Sequence, residues 1–250
     1  MQVPFPSLRA FRRSRLGVFL TAPYYTLKVF HELRRYSPAP DPFLDASKGV
    51  IHVGAQRGQE RYDYAKRKLR VLWVEADPDM IPHLRANLRG FPQQHCIQGL
   101  VGSCAEPHCR FYVANNDGAS SSVFPFERHG EIWPEIRMDN AKFLRKYTLP
   151  ELLEARSIPI GGFDTLVMDC QGSELDILRG IPRLSERFRR IQLETSDFPV
   201  YRGAPLKPEI DAHLFSLGYQ LMQCSVFATG GQQKNCMDCR YVLAGYPGPA

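Results

Sequence analysis

No run of about 18 apolar residues occurs in this 250-residue chain, which excludes a helix long enough to cross a bilayer. The longest early apolar stretch, Leu16 to Ala22, is too short for a secretory h-region. No internal repeat or extended low-complexity segment is present. The seven cysteines are an odd number without a secretory signal, which favours free thiols in a reducing compartment and hence cytoplasmic residence. Cys236-x-x-Cys239 beside Cys104-x4-Cys109 has four thiolates to offer zinc, but the second spacing is loose, and free thiols are the preferred reading.

Acidic side chains are scarce at the start of the chain. Residues 1–40 hold seven basic residues and one acid, Glu32, whereas the remainder holds 25 of each sign. A basic N-terminal extension therefore precedes a neutral domain. Pro38, Pro40 and Pro42 mark the linker, which puts the boundary at 1–42 and the main domain at 43–250. Residues 8–35 suit peripheral contact with an anionic membrane or a docking partner, against the alternatives of a solvated extension and an organelle presequence. The neutral remainder has no evident basic groove, so nucleic acid is not an expected partner.

What the chain does have is an alternation of strands and helices. Gly49 to Val53 is a nearly all-apolar strand followed by a glycine turn, Gly54-Ala55-Gln56-Arg57-Gly58, and a helix to about Lys68. The next strand ends in Glu75, 21 residues beyond Gly54, where a carboxylate can accept hydrogen bonds from two ribose hydroxyls. A nicotinamide enzyme wants G-x-G-x-x-G, which this turn lacks. Pattern alone still leaves open a turn with no ligand. Two further strands also end in acids, Asp164–Asp169 and Arg190–Glu194, and open α/β sheets bind ligands at that rim. The pattern predicts a doubly wound α/β domain, with a helix over Lys207–Leu217 and a closing hairpin of Tyr219–Phe227 and Arg240–Ala244. Asn115 to Asn140 is expected to be a long polar loop, of the kind that is functional or disordered.

Several motifs in order make the chain resemble the FkbM-type S-adenosylmethionine-dependent methyltransferases. They are V-G-A-x-x-G-Q at the first turn, V-E-A-D-P after the second strand, M-D-C-Q-G-S-E-L-D-I-L-R-G from Met168, and Q-L-E ending at Glu194. Asn115-Asn116-Asp117-Gly118 with Ser120 to Ser122, His129 and Trp133-Pro134-Glu135-Ile136 resemble a loop found in one branch of that family. The resemblance runs from about Gly49 to Gly245. It departs at His52, where the family commonly has Asp, and at Pro150, where an acid is common. It implies a Rossmann-like doubly wound seven-stranded sheet with an antiparallel last strand, and S-adenosylmethionine as cofactor. The implied cofactor contacts are His52, Gly54, Ala55, Gln56, Gly58, Glu75, Ala76 and Asp77.

Methyl transfer from sulfonium to a hydroxyl needs in-line alignment and a group that takes up the hydroxyl proton. Asp169 is the first candidate for that group, followed by Glu194 and His129, although each acid may simply cap its strand and His129 may be an ordinary loop residue. Gln171, Glu174, Ser121, Ser122 and Tyr201 are candidates for binding a hydroxylated small molecule or glycan. Asp169, Glu174 and Glu194 are also of a type that holds a divalent ion, but their spacing requires none and no metal is expected. The expected activity is O-methylation. The competing class is a non-catalytic docking protein on a degenerate methyltransferase fold, kept open by His52.

Overall fold

A computed structural model of the protein describes residues 29, 30, 32–34, 36–231 and 234–245. Most of the basic extension, including most of the 8–35 segment read as membrane-facing, lies outside the described residues. Where description begins, the chain is tied to the domain. Val29 is buried, and the Glu32 carboxylate accepts from Tyr62 Oη. The expected linker is also held down, with Arg67 donating to the Ala39 carbonyl and Arg240 gripping both oxygens of Asp41 at 3.0 and 2.8 Å.

Asp41 caps the short helix α1 (Pro42–Asp45), accepting from the amides of Phe43 and Leu44. The main sheet takes β1 (Gly49–Val53), β2 (Arg70–Glu75), β3 (Gln94–Gln98), β7 (Thr165–Met168), β8 (Arg190–Ser196), β9 (Tyr219–Thr229) and β10 (Asn235–Leu243). Their order across the sheet is β3-β2-β1-β7-β8-β10-β9. The first five are parallel, and β10 runs antiparallel to both β8 and β9. The expected closing hairpin is present, although Gln232 and Gln233 in its turn lie outside the described residues.

Alternation along the parallel strands explains the three layers. Ile51, Val53, Leu72, Val74, Leu166, Met168, Ile191 and Leu193 belong to one face of the sheet and pack with residues of α4 (Leu149–Ala155), α5 (Glu174–Arg179), α6 (Leu184–Arg187) and α7 (Lys207–Ser216). Val50, Val71, Trp73 and Val167 belong to the other face, against α1, α2 (Arg61–Lys66) and α3 (Ile81–Asn87). Every residue of β1 is buried, as a central parallel strand requires.

Three expectations need correction. The strand expected over Cys96–Val101 is broken at Gly99, where a Cβ would lie 2.6 Å from the Leu152 side chain. Leu100–Val101 leaves the main sheet as β4. The long polar loop ends at Arg137, because Met138–Tyr147 is a ten-residue strand, β6, between β4 and β5 (Glu106–Ala114) in a second, three-stranded sheet. Its Lys and Arg residues hide it from hydrophobic periodicity, and it is a strand through its antiparallel pairing with β5. Finally, Cys224 and Cys239 face each other across β9 and β10, with Cα atoms 4.1 Å apart, and are disulfide-bonded. The expectation of free thiols therefore fails for this pair, and Cys96, Cys104, Cys109, Cys170 and Cys236 are the free cysteines. The same pairing removes Cys239 from any four-thiolate zinc site. No helix of the described residues is long and apolar enough to cross a membrane.

Leu166 is fully buried in β7 at the sheet's centre. Leu166→Ala is expected to cost about 2–5 kcal/mol through lost burial and residual cavity. In urea denaturation this appears as a lower midpoint with an unchanged slope.

Candidate active site

Two glycine-dependent turns meet at the carboxyl ends of β1 and β7. Gly54 has φ +82°, and a Cβ there would lie 1.8 Å from the Asp169 carbonyl oxygen, so only glycine lets the turns touch. Above them opens a cleft bounded by the ends of β1, β2 and β7. Glu75 stands at the end of β2 and is 7% exposed. Its carboxylate accepts from the Gln56 amide at 2.6 Å and the Asp77 amide at 2.7 Å. Burial outweighs these bonds and pushes its carboxyl up to about 7. Leu100, Val101 and Phe111 supply an apolar wall. The segment after β5 folds over the opening: Gly118, Ala119 and Ser121 line it, and the Gln56 side-chain amide donates to the Asp117 carbonyl at 3.2 Å.

At the other end of the cleft lies Asp169. Gln171, held at φ +55°, turns its amide back so that Nε2 donates to Asp169 at 2.6 Å and to Glu194 at 3.2 Å. Its Oε1 accepts from Tyr201 Oη. Burial, reinforced by the adjacent Asp169 charge and a hydrogen bond to it, raises the Glu194 carboxyl well above the usual range. Asp238, opposite Glu194 on β10, adds to the same effect. A second, smaller recess lies beyond Gln171, lined by Glu194, Tyr201 and Trp133 among others.

Of the expected cofactor residues, Gly54, Gln56, Glu75 and Ala76 line the cleft, and four do not. His52 points to the opposite face of the sheet from Val53, stacks on Trp73 at 4.7 Å and hydrogen-bonds Tyr64 Oη through Nδ1 at 3.0 Å. Burial lowers it to about 4, so it is a neutral core side chain. Alternation along β1 already put it out of phase with Val53. Ala55 is buried in the core beside Trp73. Gly58 closes the turn at φ +67° against Leu84. Asp77 is occupied by Lys142 and by the Asp79 amide at 2.9 Å.

Among the acceptor-side candidates, Asp169, Gln171, Glu194 and Tyr201 come together, and His129 does not join them. It is 1% exposed, stacked on Phe126 at 3.8 Å and close to Trp133 and Tyr201, and burial lowers it to about 4. His129 lines neither recess, although its ring packs beside Trp133 and Tyr201, which line the second, so its position lends no support to the expected catalytic role. Glu174 borders the second recess, but its carboxylate is spent on the backbone amides of Cys170 at 2.7 Å and Gly172 at 3.0 Å. It shapes the turn that presents Gln171, and a divalent-ion role would have to break those bonds. Ser121 lines the cleft while accepting from the Ala114 amide, and Ser122 is buried, donating to the Gln171 carbonyl at 2.7 Å. Among the described residues, no group of three or more His, Cys, Asp and Glu side chains is arranged to hold a metal ion. The sequence reading missed the apolar wall of Leu100, Val101 and Phe111, which depends on the chain switching sheets at Gly99.

The strand order, the reversed last strand and a cleft between acid-tipped strands define a Rossmann-like methyltransferase. The model of the Methyltransferase FkbM domain family matches residues 52–221, and the chain belongs to that family. Among curated proteins, it is similar to the 2-O-methyltransferase NoeI of Sinorhizobium fredii (strain NBRC 101917 / NGR234), 23% identical over 198 residues, covering 76% of this chain and 78% of the relative. Among solved structures, it is similar to the precorrin-6y C5,15-methyltransferase of Geobacter metallireducens GS-15, with TM-score 0.43 and 13% identity over 88% of this chain and 86% of that one. It is also similar to an O-methyltransferase of Bacillus cereus in complex with SAH, with TM-score 0.43 and 12% identity over 88% and 90%. These structural likenesses carry nothing about the site or the acceptor.

Burial raises Glu174 from its ordinary 4.5 to about 7. Between those values the folded protein keeps a proton that the unfolded chain releases, so this group's contribution to stability falls as pH rises through the window. His52 and His129, lowered from 6.5 to about 4, act in the opposite sense, so the wild-type slope alone is not diagnostic. Glu174→Gln leaves an NH2 facing a backbone N–H and is expected to destabilise by about 1–3 kcal/mol at pH 5. The urea-midpoint gap to wild type should narrow by pH 8, and an equal gap at both values would contradict the assignment.

Proposed function

We propose that the chain is an S-adenosylmethionine-dependent methyltransferase that methylates a hydroxyl oxygen of a hydroxylated small molecule or glycan. The observation that carries this reading is one cleft with Glu75 at one end and Asp169 beside Gln171 at the other. Both Glu75 oxygens already accept a backbone amide and have capacity left for a ribose diol. Leu100, Val101 and Phe111 suit the flat face of a base. No Lys, Arg or His is among the described residues lining the cleft, which favours a cationic sulfonium over a dinucleotide's phosphates. Transfer to oxygen is supported by the 2-O-methyltransferase activity of the NoeI relative and by the carboxyl pair.

When bound, S-adenosylmethionine supplies an electrophilic methyl carbon, whose bond to sulfur breaks as its bond to the acceptor oxygen forms, leaving a neutral thioether. Asp169 takes the proton of the acceptor hydroxyl. Glu194, its carboxyl raised well above the usual range, hydrogen-bonds Asp169 and fixes its orientation. Gln171 locks the pair through Nε2 while Tyr201 holds its Oε1, so the acceptor side is organised before a ligand arrives.

Calorimetry with S-adenosylmethionine is expected to show binding that Glu75→Ala weakens at least tenfold, with NAD not binding. Because Glu75 takes up a proton near 7, wild-type affinity should fall as pH drops from 8 to 6, and Glu75→Gln should flatten that dependence. Preference for NAD, or indifference to Glu75→Ala, would sink the cofactor assignment. Once an acceptor supports transfer of labelled methyl, Asp169→Asn is expected to lower kcat by about 10²–10⁴-fold while leaving S-adenosylmethionine affinity within a few fold.

A further inference from the structure

The second recess shares one wall, the Gln171 side chain, with the cofactor cleft. A ligand in it therefore lies one side chain away from the cleft that ends at Asp169. Its lining has a chemical signature of its own. Trp133, half-buried and packed at its base against the Phe198–Val200–Tyr201 cluster, supplies an aromatic side. Glu194, Thr195 and Ser196 at the end of β8 supply oxygen acceptors and hydroxyls. Thr195 is 8% exposed, and its buried Oγ1 has no hydrogen-bond partner among the described residues. No Lys, Arg or His side chain of the described residues lines the recess.

These features discriminate among acceptors. An anionic group would meet no Lys, Arg or His side chain among the described residues lining the recess. A cation would meet only carboxyls that burial disfavours from ionising, Glu194 raised well above the usual range and Glu174 raised to about 7. A purely apolar ring would bury Thr195 and Glu194 against carbon. What remains is a neutral ring with one apolar face and a rim of hydroxyls.

We propose that the recess bounded by Trp133, Gln171, Glu194 and Thr195 is a subsite for one uncharged pyranose ring of the acceptor, stacked on Trp133 and hydrogen-bonded through its hydroxyls to Thr195 and Glu194. The proposal rests on the methyltransferase reading, since it names the class of acceptor. Trp133 and Thr195 are binding residues here, and neither takes part in the proton transfer.

The chain has two tryptophans, and Trp73 is fully buried, so Trp133 is the fluorescence reporter for the recess. A panel of uncharged methyl pyranosides is titrated with and without saturating S-adenosylhomocysteine, with cyclohexanol and a hexosamine as apolar and cationic controls. At least one pyranoside is expected to give a saturable change, absent in Trp133→Phe, with Kd raised tenfold or more by Thr195→Val and restored by Thr195→Ser. S-adenosylhomocysteine affinity, read by calorimetry, should be unchanged in all three variants, which also reports that they are folded. Saturable binding of the hexosamine or cyclohexanol in preference to every pyranoside would overturn the proposal. So would full S-adenosylhomocysteine binding with no pyranoside response, or a response indifferent to Thr195→Val. Failure of S-adenosylhomocysteine to bind counts against the cofactor reading instead, and the titration without it still decides the subsite.

Discussion

The contact on which the site depends is the close approach of the turn after β1 to the end of β7. The Asp169 amide donates to the Val53 carbonyl at 3.0 Å, and Gly54 presses against the Asp169 carbonyl with no room for a side chain. This contact joins a half that presents Glu75 through the Gln56 amide to a half that presents Asp169 and Gln171. Because both turns sit on strands buried on both faces, their separation is set by sheet geometry and not by loop preference.

Electrostatics then separates the acids that share this rim. Glu174 satisfies the amides of its own turn, Glu75 rests on one amide of the neighbouring turn and one of its own, and the Glu194 carboxyl is raised well above the usual range beside Asp169. Similar side chains thus do different work according to whether backbone amides, another carboxyl or open cleft surrounds them. Gln171 is the common element, since one amide group restrains Asp169, Glu194 and Tyr201 together.

The parallel strands, their terminal acids and the antiparallel closing strand were legible in the sequence because fully buried strands leave long apolar runs with sharp polar ends. Gly54, Glu75 and Asp169 followed from that frame. His52 was misread because a motif position was given precedence over the alternation that turns it toward Trp73. His129 looked like a loop histidine because nothing local reveals that Phe126, Trp133 and Tyr201 enclose it. The strand β6 was invisible for a related reason: its hydrogen-bonded pairing comes from β5 and β4, far from its own neighbours in sequence.

The segment covering the cleft is fastened to both of the turns beneath it. Gln56 holds it through the Asp117 carbonyl, and Ser122 holds it through the Gln171 carbonyl. A displacement that admits a ligand to the first recess therefore pulls on the wall of the second. Occupancy of the two recesses is then linked, and linkage is reciprocal: whatever free energy one ligand lends to the other's binding is returned in equal measure.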